Sequence, residues 1–306
     1  MTARGEPPAG EALAVAHALA PRDRLMAFGA RAVIKPVFAL PLSWAFHRRV
    51  AAFHARAHRP VPGVRVAWET VASRRARVST PEGAADGPPL VWLHGGGFVM
   101  CSPDTHAPLL DRLALACGRR VVAPAYRLAP EHPFPAAFED ALAVIDAIGP
   151  CAVGGDSAGA NLAAAAAGAL TAEGRAPLAL VLASPPADLD PARTPPAGAR
   201  EMVLPLGAVA RIFAAYLPAG ADPRDPRLSP LHARWTGGPP TLIHAARREL
   251  LQGDAEALAR AMAAAGMRVR LEIWDGVPHD WHMAAGRAPA ADRAVAAIGA
   301  FLREVA

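Results

Sequence analysis

The sequence predicts an α/β protein built on a mostly parallel sheet flanked by helices. From Leu90 onward, short apolar runs alternate with amphipathic segments of helical length, the pattern of βαβ units. Glycine-rich turns at 94–98 and 155–159 follow directly on two of the apolar runs. A chain of 306 residues, 53% of them hydrophobic, also has enough apolar surface for a sizeable core, which excludes wholesale disorder.

The elements follow in order. Residues 64–70 and 75–79 alternate apolar and polar side chains and read as two antiparallel leading strands. Strands are expected at 90–93, 121–125, 152–154, 178–183, 242–246 and 269–274, where apolar or β-branched runs are short and bounded by turn residues. Helices are expected at 108–117, 136–148, 158–172, 254–265 and 292–305. Two regions break the alternation. Residues 1–60 read as N-terminal helices, with apolar positions at Leu25, Phe28, Val33, Phe38, Trp44 and Phe46. An insert at about 185–235 is crowded with Pro, Asp and Arg. Both are expected to form a cap over the carboxyl edge of the sheet, where ligands of α/β proteins bind, leaving 61–306 as the core.

Charge and cysteine usage exclude several functions. The net charge of +5 comes from 32 basic residues, of which only Lys35 is lysine. The arginine doublets at 48–49, 74–75, 119–120 and 247–248 are scattered among acids rather than gathered in a stripe, so no nucleic-acid partner is expected. Cys101, Cys117 and Cys151 show no CxxC pair and no metal-ligand spacing, which predicts neither a disulfide framework nor a zinc site. The polar, Pro-rich start at 1–10 lacks the layout of a signal peptide, and the longest uncharged early run, 36–46, is short of the ~20 residues of a membrane span. The expected location is the cytoplasm, with the oligomeric state open between monomer and homodimer.

The chemistry is carried by a few residues. Gly155-Asp156-Ser157-Ala158-Gly159 is a G-x-S-x-G between an expected strand and an expected helix, the context of a nucleophile elbow. Small residues on both sides of Ser157 let the chain turn tightly and lift the hydroxyl above the sheet. His94-Gly95-Gly96-Gly97-Phe98 leaves the amides of Gly95, Gly96 and Gly97 unshielded, suited with the amide of Ala158 to hold an oxyanion. His94 itself is expected to anchor the loop through a backbone bond. The base should follow the last strand, where His279 stands; His282 is its neighbour and rival, and His244 lies inside a strand as a packed core residue. His106, His132 and His232 carry no positional argument. The acid should follow the penultimate strand: Glu249 is the first choice and Asp254 the second, Asp254 having an alternative use as a helix N-cap. Asp275 reads as a turn residue.

These motifs together resemble the bacterial hormone-sensitive-lipase-like branch of the α/β-hydrolase esterases. The segments 126–137 (YRLAPEHPFPAA), 225–231 (DPRLSPL) and 240–243 (PTLI) are similar to stretches of that family as well. The resemblance implies the α/β-hydrolase fold with an eight-stranded sheet and a helical cap built from the N-terminus and the insert. It also implies Ser157 and His279 as triad members, Gly96, Gly97 and Ala158 as oxyanion donors, and the position of Glu249 for the acid. Arg247 and Arg248 stand where small and acidic residues are usual, and two cations beside the acid are expected to bear on its orientation and basicity. The expected activity is hydrolysis of small-molecule carboxylic esters with small to medium acyl groups, through an acyl-enzyme and without metal or organic cofactor. The alternatives are a deacylase or acyl transferase acting on a secondary metabolite and, in another class, an inactive relative that binds a small molecule.

Overall fold

The computed structural model describes residues 12–15, 18–84, 87–193 and 198–305. Its centre is one sheet of β1 (Ala12–Val15), β2 (Val64–Val71), β3 (Arg74–Pro81), β4 (Leu90–Leu93), β5 (Val121–Pro124), β6 (Ala152–Asp156), β7 (Ala179–Ala183), β8 (Thr241–Ala246) and β9 (Val269–Trp274). The order is β1-β9-β8-β7-β6-β4-β5-β3-β2. The two leading strands are antiparallel, β2 to β3 and β3 to β5, and every other pairing is parallel. β4 and β6–β8 are buried along their whole length, as strands covered on both faces must be.

Eight strands, β2–β9, make the expected sheet, and β1 is an addition. The reading of 1–60 as helical is corrected at 12–15, which pairs in parallel with β9 from Ala12 beside Leu271 to Val15 beside Trp274. The physical reason is the open side of β9, whose unpaired backbone groups accept any short extended segment within reach. The signal-peptide reading of 1–10 falls outside the described residues, as does 194–197 of the insert.

The helices are α1 (Pro21–Gly29), α2 (Lys35–Ala39), α3 (Trp44–Ala55), α4 (Ala107–Cys117), α5 (Ala136–Ile148), α6 (Ala158–Ala172), α7 (Leu206–Tyr216), α8 (Gln252–Ala264) and α9 (Pro289–Val305). Side chains of α4 and α9 form the core on one face of the sheet, and those of α5, α6 and α8 the core on the other. α6 is almost wholly buried, and its run of alanines is what lets it lie so close to β4 and β6.

α7 is a helix that the Pro- and Arg-rich composition of the insert concealed. Its Arg211 donates to the carbonyls of Leu40 (2.7 Å) and Leu42, while Lys35 Nζ donates to the carbonyl of Glu201 (2.7 Å). The N-terminal helices and the insert are thereby tied to each other. Arg48 ties the same helices to the core, with Nε on the carbonyl of Val99 (2.7 Å) and a two-pronged pair to Glu131 (3.0 and 2.7 Å).

Candidate active site

The elbow is set by backbone geometry. β6 ends at Asp156, α6 begins at Ala158, and Ser157 between them has φ 50° and ψ −121°, a left-handed strain for a residue with a side chain. Ser157 N donates to the carbonyl of Ala183 (2.8 Å), which holds the turn against β7. A Cβ at Gly155 would strike the backbone of Gly159, and one at Gly159 the backbone of Leu93, so the turn closes only with glycine at both places.

Three predicted residues form one chain of hydrogen bonds. Ser157 Oγ lies 3.0 Å from His279 Nε2, and His279 Nδ1 lies 2.6 Å from Glu249 Oε2. Glu249 Oε1 accepts from the amide of Ala246 (2.8 Å), which fixes the carboxylate at the end of β8. His279 and Glu249 are 5% and 3% exposed, so their attraction is little screened by water. Burial pulls the pKa of His279 down, but the hydrogen bond and charge of Glu249, with Glu201 and Asp156 behind it, outweigh that and raise it above 6.5.

The other candidates are engaged elsewhere. Asp254, the second choice for the acid, lies in the first turn of α8 but does not cap it. Its carboxylate accepts from the amides of Ala187 (2.8 Å) and Asp188 (3.2 Å) and pairs with Arg193 (2.6 Å). His282 Nε2 lies 3.0 Å from Nδ1 of the buried His244, which removes it as a rival base. Arg247 pairs with Asp275, and the amide of Arg248 donates to Gln252 Oε1 (2.6 Å). The expected influence of the two arginines on Glu249 is therefore corrected for Arg247, whose charge is met by another acid.

The glycine loop also divides. Gly95, expected among the oxyanion donors, is corrected: its N–H points at Asp156 Oδ2 (2.7 Å), with His106 Nε2 at 3.2 Å. A buried amide already bonded to a carboxylate has no hydrogen left to offer a substrate. Gly96, Gly97 and Ala158 border the cavity beside Ser157. The N–H groups of Gly96 and Gly97 carry no hydrogen bond among the described residues, and that of Ala158, first in its helix, has no intrahelical partner. Gly97 has φ 61°, and a Cβ there would lie 2.6 Å from Ile212 Cδ1. His94 does anchor the loop. Its Nδ1 meets the carbonyl of Gly95 (2.8 Å), its ring stacks on Tyr126 at 4.2 Å, and Tyr126 Oη donates to its carbonyl (2.6 Å).

Asp156 is the residue that motif reading passed over. Fully buried, it accepts from Trp92 Nε1 (2.7 Å), Gly95 N (2.7 Å) and His106 Nε2 (2.9 Å). Burial pushes its pKa up, but the charge and hydrogen bond of His106 and the bond from Trp92 outweigh that and hold the carboxyl below its usual range. His106 and Asp156 join Asp280 in a cluster of metal-ligand type. Three of the four or so acceptor sites on the Asp156 carboxylate are filled by those donors, so the cluster reads as a hydrogen-bond network. Glu201 is the second such residue. Its Oε1 accepts from Val203 (2.6 Å) and Leu204 (3.0 Å), and its Oε2 from Leu250 (3.0 Å), next to Glu249. No motif marks Glu201; only its position in the insert could have drawn attention.

Ser157, Gly96, Gly97 and Ala158 floor a cavity of about 290 Å³. Its walls are Phe38 of α2, Leu206, Val209, Ile212 and Phe213 of α7, Met100, Leu189, Leu204, Leu250 and Leu251. Asp188, Asp190, Arg193 and Asp254 make a polar border, and the rest is apolar.

Residues 90–283 match the sequence pattern of a family with the α/β hydrolase fold. A solved esterase of the bacterial hormone-sensitive lipase family superposes with a TM-score of 0.84 at 33% identity, over 94% of this chain and 99% of that one. The chain belongs to the hormone-sensitive-lipase-like family of α/β-hydrolases. Among curated relatives of this hydrolase, an acetyl-hydrolase of Streptomyces hygroscopicus is 42% identical over 228 residues, 71% of this chain and 76% of that protein. The carboxylesterase/phospholipase LipF of Mycobacterium tuberculosis is 32% identical over 307 residues, 92% of this chain and 81% of that protein. Among the described residues, no helix is long and apolar enough to cross a membrane.

Proposed function

We propose that this carboxylic ester hydrolase cleaves small to medium acyl esters by a serine mechanism, with Ser157 as nucleophile, His279 as general base and Glu249 as its orienting acid. The observation that carries the reading is the unbroken bond chain from Glu249 through His279 to a serine at the floor of a mostly apolar cavity.

Neutral His279 takes the Ser157 proton on Nε2 as Oγ attacks the ester carbonyl. Glu249, accepting the Nδ1 hydrogen, fixes the tautomer that leaves Nε2 free and stabilises the imidazolium that forms. The carbonyl oxygen becomes an anion beside the amides of Gly96, Gly97 and Ala158, which are held in place and need no reorganisation to meet it. The imidazolium then protonates the leaving alcohol. Water, deprotonated by the same nitrogen, releases the acid from the acyl-enzyme. The N-terminal helices and the insert act as a cap, contributing Phe38 and the face of α7 to the cavity.

The cavity, near the lower end of ligand-pocket sizes, selects the substrate. In a panel of p-nitrophenyl esters, kcat/KM is expected to be highest for butyryl or hexanoyl and to collapse for palmitoyl. Equal rates on palmitoyl would remove the size argument. A second reading, removal of an acetyl group, is favoured by the 42% identity to the acetyl-hydrolase. Adding acetamides to the panel separates the two, since amide turnover above ester turnover would reverse the preference.

A further inference from the structure

We propose that Asp280 is a positioning residue: its carboxylic acid O–H, donated to the carboxylate of Asp156, latches the turn that carries His279 to the elbow that carries Ser157. The inference rests on the roles of Ser157 and His279 given above.

Asp156 immediately precedes the nucleophile and Asp280 immediately follows the base, so a bond between them joins the two catalytic backbones at one residue's remove. One oxygen of each carboxyl group and a ring nitrogen of His106 lie within 4.8 Å of one another. Two carboxyl groups this close and this shielded from water do not both ionise, because the second charge would meet the first almost unscreened. The proton goes to the member with fewer donors. Asp156 already accepts from Trp92, Gly95 and His106 and is the anion. Asp280 Oδ1 is buried and receives no hydrogen bond, and the side chain as a whole is 14% exposed.

The other groups facing Asp280 agree with a protonated carboxyl. His282 Nδ1 lies 3.7 Å from Asp280 Oδ1. On its far side His282 Nε2 meets His244 Nδ1 (3.0 Å), and His244 Nε2 faces Glu272 Oε2 (3.2 Å). The carboxylate of Glu272 beside His244 Nε2 favours the tautomer with the hydrogen there, so that His244 Nδ1 accepts from His282 Nε2 and His282 Nδ1 turns a lone pair toward Asp280. Burial holds His282 well below its usual pKa, so it stays neutral. Glu249 adds negative charge from the acid turn and Cys101 stays a neutral thiol, its pKa raised by burial to about 12. His279 itself is bound to Glu249 and Ser157. An ionised Asp280 would thus face two carboxylates and a lone pair, with the nearby His106 Nε2 already committed to Asp156 (2.9 Å), whereas a protonated one hands its hydrogen to Asp156. Burial and the charge of Asp156 accordingly push its pKa well above the ordinary carboxyl range. The backbone of Asp280, at φ 54° and ψ 41°, aims the side chain and is also one that glycine adopts freely.

Two variants test the latch. Asp280→Asn keeps an N–H donor toward Asp156 and cannot ionise; Asp280→Gly removes the donor without straining the backbone. At neutral pH the Asn variant is expected to keep kcat on p-nitrophenyl butyrate within about threefold of wild type. The Gly variant is expected to lose about 10- to 100-fold in kcat with KM changed far less, the cost of a base displaced by a fraction of its reach. Toward alkaline pH the wild-type kcat should fall as the latch ionises, while the Asn variant holds its plateau. Wild-type kcat in the Gly variant would overturn the proposal. So would an Asn variant as slow as the Gly variant, or one whose profile superposes on the wild type at alkaline pH. Should the Gly variant fail to fold, the two Asn comparisons still decide. Failure of the underlying serine mechanism looks different: Ser157→Ala would then retain turnover whatever Asp280 does.

Discussion

Ser157→Ala is expected to lower kcat on p-nitrophenyl butyrate by about 10⁴- to 10⁶-fold, to the residual level that binding and the amide donors alone support. It should also abolish labelling by a fluorophosphonate. The fold should survive. The side chain makes one hydrogen bond, to His279, and the left-handed backbone at 157 is as costly for serine as for alanine. Thermal melting and far-ultraviolet circular dichroism are therefore expected to match the wild type. Labelling that persists in the variant would place the nucleophile elsewhere and remove the mechanism. A wild type that resists labelling would instead favour a binding protein on this fold.

Glu249→Gln is expected to cost about 10³- to 10⁴-fold in kcat, because an amide can present its NH₂ to Nδ1 and favour the tautomer with the hydrogen on the wrong nitrogen. The variant also carries a pH signature with a fixed sign. His279 works only when neutral, so activity rises with pH through its pKa, and in the wild type that midpoint should lie above 6.5. Of the influences on His279, burial lowers the pKa and Glu249 is the largest that raises it. Removing the charge leaves burial to dominate, and the acid limb of kcat/KM should move to lower pH. Asp254→Asn is the control. Its carboxylate, 4% exposed, bonds the amides of Ala187 and Asp188, so the change should cost about 1–3 kcal/mol of stability and leave kcat within a few fold. A larger kcat loss in Asp254→Asn than in Glu249→Gln would transfer the acid role.

Much of this was legible because it is written in local chemistry. Four apolar residues from Leu90 to Leu93 before three glycines, and two glycines framing Ser157, define strand-to-loop and strand-to-helix turns that few other sequences can make. His279 and Glu249 were singled out by their order after two strands that read clearly, and the fold brings them into one bond chain with Ser157. The misreadings concern partners chosen by tertiary structure. Gly95 looks like a fourth oxyanion donor until Asp156, 61 residues away, takes its hydrogen. His106 carried no positional signal because its partner, Asp156, is 50 residues away in sequence and meets it only through the sheet. β1 formed where a helix was expected because the free edge of β9, not local preference, decides that pairing. α7 was hidden for the opposite reason: its apolar face is evident, but the surrounding prolines and charges set the composition of the whole insert.

Glu201 places a limit on how this enzyme can change. One oxygen of that carboxylate holds the backbone at Val203 and Leu204, which shapes the cavity wall, and the other holds Leu250 beside the acid. On the proposed mechanism, substrate selectivity and the strength of His279 as a base therefore share a fastener. An insert redesigned for bulkier acyl groups would detune the proton transfer at the same time, unless Glu201 and the four residues after it are kept. Divergence of substrate range in this chain is channelled toward Phe38, Ile212 and Phe213, which touch the cavity and leave the acid turn alone.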